Sequence, residues 1–362
     1  MLSLDYSGAE NLWSHLKSTE KPIVIYGTGD GADKILHVFS KHGITVDEIF
    51  VSDEFYRGKE FHGYKTCRYS DVSEKYSDFI IILAFAVFRD DLLSYVKELM
   101  KKHEVLAPYV PVFGDIYFTD EFLSENENLI REAYNCLEDD TSRKTFNNIL
   151  KYRISGNPHY LFDCETRRED VFKEIIRLDK NEAYADLGAY RGDTIEEFLS
   201  MTEGVFDSIV AFEPDSKNYK KCLEYVSSLS EERQKKIRVL NIASWNKKDT
   251  LVFDGEGGRN STLVPQKDKK MSPVSVSDLD SVLKGDRCTY VKMDVEGAET
   301  ETLEGMKETI GLYKPKLIVS AYHKTPDIIT LPLKIKELSA DYRIFLRHHT
   351  YIPDWETNYY CI

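Results

Sequence analysis

The sequence has no hydrophobic run long enough to span a membrane. Its most apolar window, FIIILAFAVF at Phe79–Phe88, has about half the length that a bilayer-spanning helix needs, and its isoleucines favour a buried parallel strand. The residues from Met1 to Pro22 carry charges of both signs and no apolar stretch, which argues against a secretory signal peptide. We therefore expect no membrane span and a cytoplasmic location.

Cysteine and positive charge are both scarce. The six cysteines include no C-x-x-C pair, so the sequence predicts neither a disulfide framework nor a zinc knuckle. Lysine and arginine total 48 against 62 aspartate and glutamate residues, and the formal net charge at pH 7 is -14. Such a surface repels a phosphate backbone, so we do not expect a nucleic acid as a partner.

Two regions of the chain alternate short β-branched runs with helical periodicity. This alternation is typical of βαβ units and predicts an α/β fold with two Rossmann-like domains, each built on a parallel sheet. Polar helical patterns without strand signals separate the two regions. The predicted units are a Rossmann-like module at 1–115, a helical connector at 116–182 and a second α/β domain at 183–362.

The second region contains seven candidate strands. The last two, YRIFLRHH and NYYCI, are joined only by TYIPDWET, which is too short for a crossover helix. They are therefore expected to pair antiparallel. The sequence thus predicts a mostly parallel seven-stranded sheet that ends in an antiparallel C-terminal hairpin.

A strand, a glycine-containing turn and a helix follow one another in YADLGAYRGDTIEEFL. Asp186 ends the strand, and Gly188 and Gly192 mark the turn. Gly188 lets the backbone approach a ligand, whereas the Asp186 carboxylate would repel a phosphate and attract a cation. S-adenosylmethionine fits because it has no phosphate and carries both an ammonium and a sulfonium group. A helix-loop cap is the alternative interpretation of Asp186.

The next two strands supply further candidates for cofactor binding. Glu213 ends the strand SIVAFEP, a position from which a carboxylate can accept hydrogen bonds from both ribose hydroxyls. Ala243 and Ser244 end the third predicted strand, where the adenine would lie. Glu213 alone is also compatible with an exposed acid before a proline turn, but the ordered pair of Asp186 and Glu213 favours the cofactor.

The block TYVKMDVEGAETETL carries the candidate catalytic groups. It places Lys292, Asp294 and Glu296 at and just beyond the carboxyl end of the fourth strand. A hydroxyl is a poor nucleophile while protonated, so methyl transfer to it calls for a base or a metal nearby. Asp294 is the first candidate, as general base, metal ligand or orienting acceptor. Glu299, in the first turn of the next helix, is interpreted as mainly structural.

His323 ends the fifth strand, and parallel neighbours are expected to bring it close to Asp294. An imidazole with a pKa near neutrality suits proton abstraction, although a structural histidine is equally compatible with the pattern. Carboxylates and an imidazole at one rim also suit a divalent cation such as magnesium or manganese. Their spacing matches no recognised metal motif, so the cation is a minority hypothesis.

Two further stretches bear on the acceptor. His348 and His349 follow the sixth strand, where both substrate lining and a solvated loop are open interpretations. The stretch Asp254–Pro273 is rich in glycine and then basic, and we consider it a candidate for a mobile cover over the acceptor.

Several of these blocks together resemble the FkbM family of S-adenosylmethionine-dependent methyltransferases. The blocks, in chain order, are DLGAYRGDT, AFEPD, VKMDVEGAE, LRHHTY and NYYCI. The resemblance covers Ala183–Ile362 and implies a class I methyltransferase fold. It also implies O-methylation of a hydroxyl on a sugar, glycoconjugate or natural-product precursor. Tyr190 stands where commoner methyltransferases have the second glycine of D-x-G-x-G-x-G.

A second glycine-rich loop, IVIYGTGDGADKI, lies near the amino terminus. Gly27, Gly29 and Ala32 satisfy G-x-G-x-x-[GA], and Asp53 follows at the distance of a ribose-binding acid. No catalytic dyad follows the loop, so we expect either a nucleotide or sugar-nucleotide ligand or simply a tight strand-to-helix turn. An NAD-dependent sugar oxidoreductase or epimerase and a non-catalytic nucleotide-binding scaffold are the alternative functions.

Overall fold

The computed structural model describes residues 2–114, 116–254, 262–264 and 272–362 of the chain. The stretch predicted as a mobile cover, Asp254–Pro273, lies outside the described residues except at its ends and at 262–264. Among the described residues, no helix combines the length and the apolarity that a membrane span requires.

The amino-terminal part is built on a parallel sheet. Its strands are β1 (Ile23–Tyr26), β2 (Glu48–Phe50), β3 (Glu60–Phe61), β4 (Tyr64–Lys65), β5 (Ile80–Leu83) and β6 (Glu104–Leu106). Its helices are α1 (Leu12–Ser18), α2 (Asp30–His42), α3 (Tyr69–Lys75) and α4 (Asp90–Met100). Four strands pair in parallel in the order β2-β1-β5-β6, as the βαβ pattern predicts. Every residue of β1 and of β5 is buried because helices cover the sheet.

Helices connect this sheet to the next one. They are α5 (Asp120–Glu125), α6 (Glu127–Asn135), α7 (Asp140–Ser155), α8 (His159–Phe162) and α9 (Arg168–Val171), followed by a π-helical turn at Phe172–Ile176. The helical segment also covers an edge of the second sheet. Leu137 forms a parallel bridge to Ile344, and Glu165 forms one to His348. An edge strand that would otherwise expose its backbone groups is thereby partly paired.

The carboxy-terminal part contains the seven-stranded sheet. Its strands are β7 (Ala183–Leu187), β8 (Ser208–Phe212), β9 (Ile237–Leu240), β14 (Tyr290–Met293), β15 (Lys316–Ser320), β16 (Ile344–His348) and β17 (Thr357–Cys361). They lie in the order β16-β17-β15-β14-β7-β8-β9. The first five are parallel to their neighbours among them, and β17 is antiparallel to both β15 and β16. The predicted C-terminal hairpin is confirmed.

A smaller sheet and seven helices complete this part. The smaller sheet has the order β10-β13-β11-β12, with β10 at Ala243–Ser244, β11 at Asp249–Asp254, β12 at Thr262–Val264 and β13 at Ser272–Ser277. The helices are α10 (Asp193–Met201), α11 (Ser216–Ser227), α12 (Glu231–Gln234), α13 (Leu279–Leu283), α14 (Glu299–Glu304), α15 (Lys307–Tyr313) and α16 (Asp327–Leu338). The third strand of the main sheet therefore ends at Leu240. The prediction that Ala243 and Ser244 belong to that strand is wrong, because they pair with β13 instead.

The largest buried hydrophobic cluster of the described residues extends through both parts of the chain, and each part also has a smaller cluster of its own. A continuous buried cluster contains Phe79 of the first sheet, Ile130 and Phe146 of the connecting helices, and Val291 and Tyr359 of the second sheet. The two sheets and the helices between them are thus packed into one body.

Candidate active site

Four predicted site residues lie at one edge of the seven-stranded sheet. Asp186, Glu213 and Asp294 lie at or just beyond the carboxyl ends of β7, β8 and β14, and His323 follows β15. These strands are parallel neighbours in the order β15-β14-β7-β8, so their carboxyl ends share one edge. That edge of an open parallel sheet is where ligands bind in this class of fold.

Asp186 is completely buried. Its Oδ2 accepts a hydrogen bond of 2.5 Å from the Thr194 hydroxyl, whereas Oδ1 has no partner among the described residues. Burial raises the pKa of this carboxyl above its usual value, although the positive charge of Lys292 opposes the rise. A buried acceptor atom without a partner is costly, so it marks a place where a donor from a ligand would be favourable.

The turn after β7 is shaped by two glycines with positive φ. Gly188 has a φ of +99°, and a Cβ there would lie 2.0 Å from the carbonyl oxygen of Asp294. Gly192 has a φ of +92°, and a Cβ there would lie 2.9 Å from the Tyr225 ring. The missing Cβ of Gly188 thus allows the turn to pack against the neighbouring strand end, whereas the sequence suggested that it makes room for a ligand.

Glu213 is buried, with 6% of its surface exposed, so it is not an exposed acid. One carboxylate oxygen accepts a hydrogen bond from the backbone N–H of Tyr190, and the other accepts one from Asp215, both at 2.8 Å. Burial raises the pKa of Glu213 to about 7. Tyr190 adopts a left-handed φ of +46°, so the turn after β7 is fixed to the acid that was predicted to bind ribose.

Ala243 and Ser244 are buried in the short strand β10, which follows β9 along the chain. The Ser244 hydroxyl has no hydrogen-bond partner among the described residues. Asp186 Oδ1 and several other buried side-chain atoms share this property.

Asp294 is surrounded by donors and positive charge. The Tyr322 hydroxyl donates to its Oδ1 at 3.1 Å, and Lys292 Nζ lies 3.5 Å from its Oδ2. Burial alone would raise the pKa of Asp294, but the charges of Lys292 and His323 outweigh it and lower the pKa below its usual value. The side chain keeps 29% of its surface exposed, so this ionised carboxylate is accessible from the edge of the sheet.

His323 is enclosed by carboxylates. Its Nδ1 lies 2.8 Å from Glu299 Oε1, and its Nε2 lies 3.4 Å from Asp294 Oδ1 and 3.5 Å from Glu296 Oε2. Burial disfavours the charged ring, yet Glu299 and the other two carboxylates outweigh it and raise the pKa of His323 to about 10. The ring therefore carries its second proton at neutral pH, and the near-neutral pKa expected from the sequence is wrong.

Glu299 contacts both His323 and the turn that contains Glu296, which its position at the start of a helix did not predict. Glu299 Oε1 accepts hydrogen bonds from the backbone N–H groups of Val295 at 3.2 Å and Gly297 at 3.4 Å, in addition to its contact with His323. It thereby fixes the turn that contains Glu296, whose φ is +54°. The signal in the sequence was the glycine after Glu296, because a left-handed turn brings the flanking carboxylates to one histidine.

Metal binding finds no support at this edge. Throughout the described residues, no group of three or more His, Cys, Asp or Glu side chains is arranged to hold a metal ion. The carboxylates around His323 lie against the imidazolium instead, and Asp294 also lies against Lys292. Nothing in the described part of the chain therefore supports the divalent cation considered above.

His348 and His349 are buried rather than solvated. Burial lowers the pKa of His348 to about 3 and that of His349 to about 4. His349 Nδ1 donates to the carbonyl oxygen of Thr166 at 2.7 Å, so its Nε2 accepts from the Tyr360 hydroxyl at 2.6 Å. These contacts give His349 a structural role, and the interpretation of the pair as a solvated loop is wrong.

In the amino-terminal glycine loop, two glycines pack closely against the end of β5. A Cβ at Gly27 would lie 2.6 Å from the Phe85 ring, and one at Gly31 would lie 2.2 Å from the carbonyl oxygen of Ala84. Sequence reasoning did not single out Gly31, whose packing role becomes visible only once α2 lies against the end of β5. Gly29 has a φ of +146°, and a Cβ there would meet no atom within 4 Å.

The acids around that loop are exposed at the surface. The Asp53 side chain is 86% exposed and lies 3.7 Å from Arg68. Asp30 and Asp33 occupy the first turn of α2, where a dinucleotide would place its pyrophosphate. Carboxylates at that position oppose an anionic ligand.

A shallow cavity of about 330 Å³ lies at the opposite, amino end of β7, β8 and β9. Two of the cations that line it are already used within the fold. Lys236 donates to the carbonyl oxygen of Phe206, and Arg287 donates to that of Asn181. This cavity therefore has no direct part in the chemistry at the carboxyl edge.

Comparison with known proteins agrees with this arrangement. Residues 186–353 match the model of the methyltransferase FkbM domain. The crystal structure of a methyltransferase FkbM from Methylobacillus flagellatus KT is similar over 94% of this chain and 90% of its own, with a TM-score of 0.74 and 21% sequence identity. No curated protein matches the sequence of this chain.

Two other solved structures match about half of the chain. An rRNA methylase from Streptococcus thermophilus covers 53% of this chain and 90% of its own, at 12% identity and a TM-score of 0.33. A SAM-dependent methyltransferase from Aquifex aeolicus covers 57% and 97%, at 13% identity and a TM-score of 0.33. The chain shares the fold of the Methylobacillus protein, and its residues 186–353 are similar to the methyltransferase FkbM domain.

Proposed function

We propose that the protein transfers a methyl group from S-adenosylmethionine to a hydroxyl group of a sugar, glycoconjugate or natural-product precursor. One observation carries this proposal. Four neighbouring parallel strands bring Glu213, Asp186, Asp294 and His323, in that order, to one edge of the sheet. Two buried acids suited to a cofactor thus lie beside an acidic cluster suited to a hydroxyl acceptor.

The residues at the edge fit S-adenosylmethionine. Asp186 Oδ1 and Ser244 Oγ are buried without partners among the described residues, and the Asp186 carboxylate would repel a phosphate. When bound, S-adenosylmethionine supplies a methyl group that its sulfonium has already activated. Glu213 retains acceptor capacity for ribose hydroxyls, since each carboxylate oxygen has two lone pairs and only one is used by the backbone. Gly188, Gly192 and Ala243 shape the backbone around this space.

Asp294 is proposed to accept a hydrogen bond from the acceptor hydroxyl and to orient it. It is the ionised and accessible carboxylate at the end of β14, and Lys292 and His323 hold it in place. A carboxylate is an acceptor only, so the group it orients must donate, as a hydroxyl does. Orientation of the nucleophile is a large part of what a methyl transfer needs from its enzyme.

The sugar-like nature of the acceptor rests on the family resemblance, and the charge of the chain supports a small neutral or cationic acceptor. The formal net charge is -14, and the edge itself carries more acids than bases. No observation on the described residues favours the oxidoreductase alternative. Asp53 is exposed, and the first turn of α2 is acidic, so we propose that Gly27 and Gly31 serve mainly to pack the strand-to-helix turn.

Calorimetric titration of S-adenosylmethionine tests the cofactor assignment. Glu213→Ala removes the proposed ribose acceptor, and we expect an increase in Kd of about 10-fold to 100-fold, corresponding to the ~1.5–3 kcal/mol of a charged hydrogen bond. Glu203→Gln is the matched control because Glu203 is exposed and pairs only with Lys180 among the described residues. Absence of binding to the wild-type protein, or equal affinity in the Glu213 variant, would contradict the assignment.

Turnover with a panel of methyl glycosides and nucleotide sugars tests the acceptor assignment. Release of S-adenosylhomocysteine and formation of a methyl ether are expected with at least one hydroxyl compound. Asp294→Asn should lower kcat far more than it lowers cofactor affinity, since the amide removes the negative charge but keeps the volume. An unchanged kcat would remove Asp294 from the mechanism.

A further inference from the structure

We propose that Glu296, rather than His323 or Asp294, accepts the proton that the acceptor hydroxyl loses during methyl transfer. This inference rests on the proposed function and adds a catalytic residue to it. Three candidate proton acceptors lie at the end of β14, namely His323, Asp294 and Glu296, and their contacts differ enough to separate their roles.

His323 has no free nitrogen with which to accept a proton. Both ring nitrogens face carboxylates, at 2.8 Å for Nδ1 and 3.4–3.5 Å for Nε2, and only 2% of the side chain is exposed. Protons on both nitrogens satisfy these contacts, because a neutral ring would place a lone pair against a carboxylate oxygen. The ring is a fixed positive charge between its neighbours.

Asp294 is accessible but is a weak base. Lys292 Nζ and His323 Nε2 lie within 3.5 Å of its oxygens, and the Tyr322 hydroxyl donates to it as well. Three donors stabilise the charged form and make its protonation unfavourable. It remains a strong hydrogen-bond acceptor for a hydroxyl group, which suits it to orient the acceptor rather than to deprotonate it.

Glu296 differs from both of these groups. Its side chain is 44% exposed, the largest exposure among the carboxylates around His323. Its Oε2 lies 3.5 Å from His323 Nε2, and no lysine or arginine of the described residues forms a salt bridge with it. Of the three candidates it therefore has the most surface free to meet an acceptor.

The backbone of Glu296 has an unfavourable conformation. Its φ of +54° is left-handed, a conformation that is uncommon for residues other than glycine. Glu299 imposes it through hydrogen bonds to the backbone N–H groups of Val295 and Gly297 on either side. Strain that is built in and braced in this way is frequent at catalytic positions.

Glu296 and Asp294 are also placed to act on the same hydroxyl. Glu296 Oε2 and Asp294 Oδ1 flank one nitrogen, His323 Nε2, at 3.5 Å and 3.4 Å. A hydroxyl oriented by the Asp294 carboxylate is thus near the Glu296 carboxylate, within the span of a hydrogen bond or of one intervening water.

The surrounding charges adjust the basicity of Glu296. Partial burial raises its pKa to about 7, and the charges of Asp294 and Glu299 add to the rise. The cations His323 and Lys292 oppose it. Lys324 also packs near this turn, with its Cε 3.2 Å from the position of a Cβ on Gly297. A carboxyl group whose pKa is near the working pH is an efficient proton acceptor.

The acceptor oxygen forms a bond to the methyl carbon and transfers its proton to the Glu296 carboxylate. The electron pair of the broken carbon–sulfur bond stays on sulfur, which gives neutral S-adenosylhomocysteine and a methyl ether. Glu296 then releases the proton to solvent, to which its exposed side chain has direct access.

The pH dependence of kcat in matched variants tests the inference, with an acceptor identified by release of S-adenosylhomocysteine. In the wild-type protein, kcat should rise about tenfold per pH unit below pH 7 and level off above it. Glu296→Gln should lower kcat at pH 8 by about 10²-fold or more and abolish the rise, with the Kd for S-adenosylmethionine unchanged. Glu308→Gln, an exposed carboxylate in the same part of the chain, is the control and should keep the wild-type profile.

Two further measurements keep the outcome unambiguous. Carbon-13 NMR of glutamate side-chain carboxyls should show a resonance that titrates near pH 7 and that disappears in Glu296→Gln, and unchanged thermal unfolding of the variant would show that it folds. Retention of the wild-type rate and pH profile in Glu296→Gln would overturn the inference while the proposed function stands. Failure of the wild-type protein to methylate any hydroxyl compound would overturn both.

Discussion

The hydrogen bonds of a buried side chain can fix its protonation state. His349 is the clearest case. Its Nδ1 donates to a carbonyl oxygen and its Nε2 accepts from the Tyr360 hydroxyl, so the fold fixes the neutral ring. A proton on Nε2 would break the contact with Tyr360 and place a charge in a buried position.

The neutral state of His349 predicts a pH-dependent effect of its replacement. The folded pKa of about 4 lies below the unfolded value of 6.5, so the unfolded chain binds the additional proton as the pH falls through this window. His349→Gln removes that proton uptake. The loss of unfolding free energy caused by this variant should therefore be smaller at pH 5 than at pH 7.5, by about 2 kcal/mol.

Urea unfolding of both proteins at the two pH values measures this difference. His37→Gln serves as the control because His37 is exposed. A destabilisation by His349→Gln that is the same at both pH values would show that the ring is already protonated in the folded protein.

Because Gly188 has no Cβ, the turn after β7 can pack closely against the end of β14. Gly188→Ala places a Cβ 2.0 Å from the Asp294 carbonyl oxygen at a φ of +99°. Gly285→Ala is a matched control, since Gly285 has a φ of +88° and a Cβ there would meet no atom within 4 Å. Both variants strain the backbone, but only the first also forces the turn after β7 away from β14.

We expect Gly188→Ala to lower the free energy of unfolding by about 2–4 kcal/mol and to abolish measurable binding of S-adenosylmethionine. Gly285→Ala should cost about 1 kcal/mol and leave binding intact. Chemical denaturation together with calorimetry measures both effects. Equal behaviour of the two variants would mean that the close approach at Gly188 is unimportant.

At the scale of elements, helix α7 holds two loops in place, the one after β15 and the one between β16 and β17. Arg153 on this helix is completely buried and donates to Asp354 Oδ2 at 2.7 Å. It also donates to the backbone carbonyls of Ala321 and Thr325 at 3.2 Å. Those residues flank His323, so one guanidinium ties the loop after β15 to the loop between β16 and β17.

Removal of this guanidinium should therefore be strongly destabilising. Arg153→Met leaves Asp354 as a buried, unpaired carboxylate, and we expect a loss of about 3–5 kcal/mol of unfolding free energy. Arg131→Met, which breaks an exposed pair with Glu127, should change it by less than about 1 kcal/mol. Denaturant midpoints of the two variants provide the measurement, and similar losses would contradict the role assigned to Arg153.

The sequence predicts those features of the site that depend on neighbouring residues in the chain. Apolar runs that end in Asp186, Glu213 and Asp294 give the strand ends, and the short link before NYYCI gives the hairpin. The protonation of His323 was not predictable, because it depends on Glu299 reaching it from another element. The exact end of the third strand was also missed, since Ser244 pairs with β13 from a distant part of the chain.

At the scale of the whole molecule, the amino-terminal part contacts the loops at the carboxyl edge of the seven-stranded sheet. Val87 and Ile352 exchange two backbone hydrogen bonds, at 2.7 and 2.9 Å. The backbone N–H of Phe113 donates to the carbonyl oxygen of His323 at 3.1 Å, and its ring packs 5.9 Å from the imidazole. Such contacts between distant segments cannot be inferred from periodicity, which reports only on local structure.

The shared core predicts that the two sheets unfold together. Trp13 reports on the amino-terminal part, whereas Trp245 and Trp355 report on the carboxy-terminal part, and these are the three tryptophans of the chain. One variant keeps only Trp13, and a second keeps only Trp245 and Trp355. Circular dichroism measures how much each variant's overall stability has changed. After correction for that change, the fluorescence of both variants should give the same denaturant midpoint. Two separate midpoints within one variant would contradict a single cooperative body.

The most direct test of the proposed methyl transfer follows the methyl group itself. The protein is incubated with S-adenosylmethionine that carries an isotopically labelled methyl group and with a panel of hydroxyl compounds, and the products are analysed by mass spectrometry. We predict a product that gains one labelled methyl group on an oxygen atom, in amounts that fall by about 10²-fold or more in Glu296→Gln. Absence of labelled product with the wild-type protein, or transfer of the label to nitrogen or carbon, would contradict the proposal.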